Sequence, residues 1–132
     1  MTDAVIEAYG STLAESFENA ALGLNDTMIN VKTVSSTNKV TICVSASDLK
    51  QLLFEFLDRV MLILLVERFA MCSFHIQIAK AADSYSLNAV AEGEQLDIKK
   101  HGYKVEIKAV TYHEMEILQK ENETAVRFIL DL

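Results

Sequence analysis

Two carboxylates at opposite ends of the sequence, Asp3 and Asp131, are the residues best placed to do chemistry together. Asp3 opens the first strand-like segment, and Asp131 is penultimate in the last one, followed by Leu132 and its terminal carboxylate. If the first and last strands are neighbours, these acids converge. Like charges that close repel unless one is protonated or a cation bridges them. A hard, oxygen-seeking divalent ion is the natural bridge: Ca²⁺ first, with Mg²⁺ or Mn²⁺ as alternatives. The plain alternative is a set of solvated acids, the usual state of charged residues at chain ends.

Other reactive types are less suggestive. Lys104, Glu106 and Lys108 alternate with Val105 and Ile107, so on a strand all three project from one face. Lys108 could act there as a cation beside an acidic pocket or a phosphate; the alternative is a solvated charged face. His75 lies between Phe74 and Ile76 and is expected either to face away from their side or to be a satisfied edge histidine. His101, beside Gly102, reads as a solvated turn residue, and His113, followed by Glu114 and Glu116, as a turn or capping residue. Cys43 and Cys72 have no CxxC spacing and sit in apolar alternating runs, which predicts two small buried hydrophobes in a reducing compartment. There is no G-x-S-x-G elbow and no H-E-x-x-H pair. With only 4 glycines, and no glycine-rich loop after a strand, a phosphate-cradling loop is effectively excluded.

The elements that must position these residues follow from periodicity. Residues 3–9 read as a strand ended by Gly10. Thr12 and Glu15 have capping-box spacing. Leu13, Phe17, Ala21, Leu24 and Met28 recur at steps of three and four, placing one apolar stripe on a helix. Residues 38–45 alternate as a half-buried strand. Ser47 or Asp48 caps a second helix with a broad apolar face from Leu49 to Leu64. Strands are expected over 70–79, 85–91, 104–112 and 124–131. Strand, helix, strand, helix and then clustered strands predict an α+β fold, two-layer, with two helices packed on a largely antiparallel sheet.

The totals bound the function. A length of 132 residues predicts a single domain, and 51% hydrophobic residues place it among globular chains. A formal net charge of −7 argues against direct nucleic-acid binding, because an acidic surface repels phosphate. Met1-Thr2-Asp3 carries an acid where a secretory leader has a basic region, so no leader is expected. The longest apolar run, Val60 to Val66, is too short to span a bilayer. A soluble cytoplasmic protein is expected, with no membrane partner.

Several segments together resemble the archease family. Ala8-Tyr9-Gly10 with Phe17-Glu18-Asn19-Ala20-Ala21 is similar to its first strand and helix, and Asp26 and Met28 continue the match. Lys108-Ala109-Val110-Thr111-Tyr112-His113 resembles its most recognisable stretch, and Ile129-Leu130-Asp131-Leu132 its ending. The resemblance implies one archease-like domain over 1–132 and a non-enzymatic role in tRNA splicing and RNA repair. Such proteins activate a metal-dependent RNA ligase of the RtcB type by promoting guanylylation of the ligase's histidine and multiple turnover. The resemblance also implies a divalent cation, usually calcium, held at positions matched here by Asp3, Asp131 and Leu132, and an activity-linked lysine matched by Lys108. A different reading is a chaperone-like interaction module for tRNA-modifying enzymes such as methyltransferases.

Two departures stand out. The family carries several residues, often His-Thr-Ala, before the early aspartate, whereas here only Met1-Thr2 precede it. A free α-amino group that near would weaken cation binding, and a start further upstream is the alternative. Leu62-Ile63-Leu64-Leu65-Val66 is also more apolar than the family's second helix end, which suggests either core or an enlarged partner-facing patch.

Overall fold

The computed structural model describes residues 3–132, so the short lead before Asp3 and its expected amino-terminal charge lie outside the described residues. Strand β1 (Asp3–Gly10) turns directly into helix α1 (Leu13–Met28). Gly10 is required at this turn, because a Cβ there would lie 2.5 Å from the Ser16 backbone nitrogen. The Thr12 hydroxyl accepts the Glu15 N–H at 3.1 Å, and the Glu15 carboxylate accepts the Ser11 N–H at 2.6 Å. Together they satisfy donors that a helix start otherwise leaves free.

A single 3₁₀ turn (Val31–Thr33) leads to β2 (Asn38–Ala46), and α2 (Leu49–Leu65) follows, capped by Asp48. The remaining elements are β3 (Phe69–Lys80), β4 (Tyr85–Gln95), the short α3 (Ile98–His101), β5 (Ala109–Gln119) and β6 (Thr124–Asp131).

The α+β class holds, with both long helices packed on antiparallel strands. The strands divide into two three-stranded sheets, in the orders β1-β6-β5 and β2-β4-β3. Helix α1 packs against β1 and β3 and helix α2 against β5 and β2, so each helix joins the two sheets. Phe17 of α1 stacks on Phe56 of α2, and Phe56 meets Phe74 of β3 edge-on. Apolar burial on this scale, with these rings at its centre, is the main force closing the fold.

One strand is displaced from expectation. Residues 104–108 are not in a ladder; β5 begins at Ala109, which pairs with Asp131. Asp131 is the last residue of β6, so residues before Ala109 have no strand left to pair with. At its other end β5 runs to Gln119 rather than 112, through an irregularity between Thr111 and Glu116 in which Glu114 adopts φ 58°. That bulge breaks the alternation on which the sequence reading relied.

Candidate functional site

The site is built by the first sheet, because β6 lies between β1 and β5. Asp3 is the direct cross-strand partner of Asp131. Residues directly opposite in an antiparallel pair put their side chains on one face, with Cβ atoms about 5 Å apart. On the other side of β6 the Lys108 N–H donates to the Asp131 carbonyl at 2.7 Å. Asp3, Lys108 and Asp131 therefore converge at one end of one sheet, with Leu132 half-buried immediately after.

Along β6, Thr124, Val126, Phe128 and Leu130 are buried while Ala125, Arg127, Ile129 and Asp131 are not. The Asp131 side chain thus stands on the face away from the helices. Among the described residues neither Asp3, Asp131 nor Lys108 has an ion-pair partner.

Two carboxylates facing each other across the ladder, with no ion-pair partner among the described residues, are oxygen donors of the kind a hard divalent ion takes. Among the described residues no group of three His, Cys, Asp or Glu side chains could hold a metal.

Asp26 does not contribute a free carboxylate. It accepts the Val31 N–H at 3.2 Å and lies 3.6 Å from Lys104 Nζ. Lys104 also differs from Lys108: its N–H donates to the Met28 carbonyl and its Nζ to the Asp26 carbonyl at 2.8 Å. Both acceptors belong to the last turn of α1, where helix carbonyls lack intrahelical donors.

With this geometry in place, comparison with known proteins is decisive. The whole chain, residues 1–132, matches the profile of the Archease protein family (MTH1598/TM1083). This chain belongs to the archease family. Among curated relatives, "Protein archease" of Thermococcus kodakarensis is 41% identical over 115 residues, 87% of this chain and 81% of that protein. "Protein archease" of Pyrobaculum islandicum is 34% identical over 131 residues, 98% of this chain and 89% of its own. The solution structure of Methanobacterium thermoautotrophicum protein 1598 superposes with a TM-score of 0.85 at 33% identity, covering 100% of this chain and 94% of that one.

Several side chains of this archease-family chain sit differently from their sequence reading. Cys43 is exposed, with its thiol 3.0 Å from Asn88 Oδ1, and Cys72 is half-buried at the irregularity of β3. The bulge removes Cys72 from the inward alternation, and Cys43 takes the outward position of β2. Burial, reinforced by Glu92 and Glu94, pushes the Cys72 thiol above its usual pKa. His75 does face outward, as expected, 3.8 Å from Glu92.

His101 is the clearest reversal: it is 1% exposed, not solvated. Its Nδ1 accepts the Asp97 N–H at 3.0 Å and its Nε2 lies 2.8 Å from Glu94 Oε2. The same Glu94 oxygen also receives Lys100 Nζ at 2.6 Å and the Ser35 N–H at 2.9 Å. Hydrogen bonds from Lys100, His101 and Ser35, in that order, hold the Glu94 carboxyl down at about 2. One sequence signal for this cluster existed: Asp97 is a good cap residue, and His101 follows one helical turn later.

His113 lies within β5 and is exposed, 3.1 Å from Glu114. Among the described residues no helix is long and apolar enough to cross a membrane.

Proposed function

We propose that this archease-family chain is an activator of an RtcB-type RNA ligase, promoting guanylylation of the ligase's histidine and multiple turnover in tRNA splicing and RNA repair. The observation that carries this reading is the pairing of Asp3 with Asp131 while the Lys108 amide bonds to the Asp131 carbonyl. Residues from the first strand, the last strand and the run just before β5 meet at an open sheet end, where a partner can reach them.

Asp3, Asp131 and Leu132 would hold a divalent cation, Ca²⁺ first and Mg²⁺ or Mn²⁺ otherwise. When bound, the cation supplies positive charge beside a transferring phosphate. Lys108, exposed and without an ion-pair partner among the described residues, adds a fixed charge of the same sign. The chemistry belongs to the ligase, and this chain orients and stabilises, acting as an activator and not as an enzyme. With a net charge of −7 it reaches RNA through the ligase and not by binding phosphate directly. Its place is the cytoplasm, with that ligase.

A second reading, an interaction module for tRNA-modifying enzymes such as methyltransferases, has one observation in its favour. Leu62 and Val66, at the end of α2, are 42% and 72% exposed. A multiple-turnover ligation assay with the cognate ligase separates the two. Wild-type protein should raise the turnover number, and Asp131→Ala should abolish the gain. Equal activation by wild type and Asp131→Ala removes the metal-site reading; a methyltransferase stimulated equally by both supports the second.

A further inference from the structure

Residues 102–108 carry Lys108 to Asp131 without any strand beside them, so something other than a ladder must fix their course. Three ties do so. The His101 carbonyl accepts the Asn30 N–H at 2.9 Å, just beyond α1, and the Lys104 N–H donates to the Met28 carbonyl at 2.7 Å, at the last residue of α1. Ile107 is buried, and Lys108 ends the run on Asp131.

The first tie is anchored by the His101 ring. Because Nδ1 receives the Asp97 N–H, the ring proton sits on Nε2 and donates to Glu94 at 2.8 Å. Glu94 lies at the end of β4 and also takes the Ser35 amide and Lys100, so its orientation is fixed from three directions. Hydrogen bonds to a charged acceptor are the strong ones. The ring thereby ties the second sheet to the start of a run that ends in the first.

We infer that the Glu94–His101 pair is a positioning device for Lys108, fixing the unpaired run 102–108 at its start so that Lys108 arrives beside Asp131. His101 touches no ligand in this arrangement and acts through the backbone. The inference about position stands on geometry alone; only its consequence for activation rests on the function proposed above.

The test uses full-length His101→Gln, His101→Asn and Glu94→Gln, with backbone amide exchange as the first readout. Glutamine can place an N–H near the position of Nε2, whereas asparagine is too short to reach Glu94. His101→Asn should speed exchange at the Lys108 amide by about tenfold or more, the factor that loss of one charge-assisted bond produces in a local opening. Amides inside α1 and α2 should hold their wild-type rates. His101→Gln should stay close to wild type, and Glu94→Gln should shift in the same direction as His101→Asn, giving a second variant if the asparagine protein does not fold.

Ligase activation, measured where all variants are folded, should follow the exchange order. Unchanged Lys108 exchange in both His101→Asn and Glu94→Gln overturns the inference. So does acceleration spread evenly over the whole chain, which marks His101 as a general stability residue. If wild-type protein activates no ligase, the proposed function fails while the exchange arm still decides this one.

Discussion

Replacing Asp3 by Asn should change the sign of its effect on stability when a divalent cation is added. Asp3 and Asp131 face each other across the ladder, and side chains so placed stand about 5 Å apart. Two unit charges at that distance in water repel by about 0.8 kcal/mol, and physiological salt screens this to about 0.4 kcal/mol. Without divalent ions, Asp3→Asn should therefore be the more stable protein, by about 1–2 °C in Tm for a domain of this size. With Ca²⁺ at a hundredfold over its Kd, wild type should gain about 2.7 kcal/mol, or about 8–10 °C, and the variant should gain little. Differential scanning calorimetry in chelator and in a Ca²⁺ series reads both numbers. Asp131→Asn should behave alike, and the double variant in chelator should gain no more than either single one, because each removes the same repulsion. A variant that melts below wild type in chelator, or that rises with Ca²⁺ as wild type does, refutes the reasoning.

Lys108 and Lys104 should dissociate. Lys108→Ala keeps the amide bond to Asp131 and should shift the urea unfolding free energy by no more than about 0.5 kcal/mol, while ligase activation collapses. Lys104→Ala loses a side-chain donor to the end of α1 and should cost about 1 kcal/mol with activation retained at a temperature where it is folded. Glu94 shapes the acid limb: its carboxyl is held at about 2 when folded and titrates near 4.3 when unfolded. Its stabilisation is complete above the unfolded value and is lost as pH falls towards 2, so Glu94→Gln should flatten the stability profile between about pH 4.5 and 2. Iodoacetamide at pH 8 should modify Cys43 well before Cys72, whose thiol is half-buried and raised in pKa; peptide mass mapping that finds the reverse order contradicts the burial assignments.

Local physics was legible in the sequence wherever a residue's role depends on its near neighbours. The Thr12–Glu15 cap and the Asp48 start of α2 each lie within about one turn of chain, and the apolar stripe of α1 repeats at steps of three and four. Alternation at 124–131 likewise gave β6 its full extent, because nothing interrupts its ladder. Composition set the acidity and, through it, the weak case for direct RNA contact. The sequence also named Asp3, Lys108 and Asp131 as candidates, but their meeting depends on β1 and β5 flanking β6, a pairing between chain ends that no local pattern encodes.

Only the tertiary structure decided what depends on a partner far along the chain. Residues 104–108 alternate like a strand yet lack a ladder, because β6 ends at Asp131 and offers them no neighbour. His101 looks like a turn residue in its own surroundings; burial becomes favourable only because Glu94 and the Asp97 amide satisfy both ring nitrogens. The same holds for Lys104, whose solvent-facing pattern hides a cap on a helix that ended 76 residues earlier. Hydrophobic periodicity reports which side of an element faces inward, while the identity of what waits there is a property of the assembled fold.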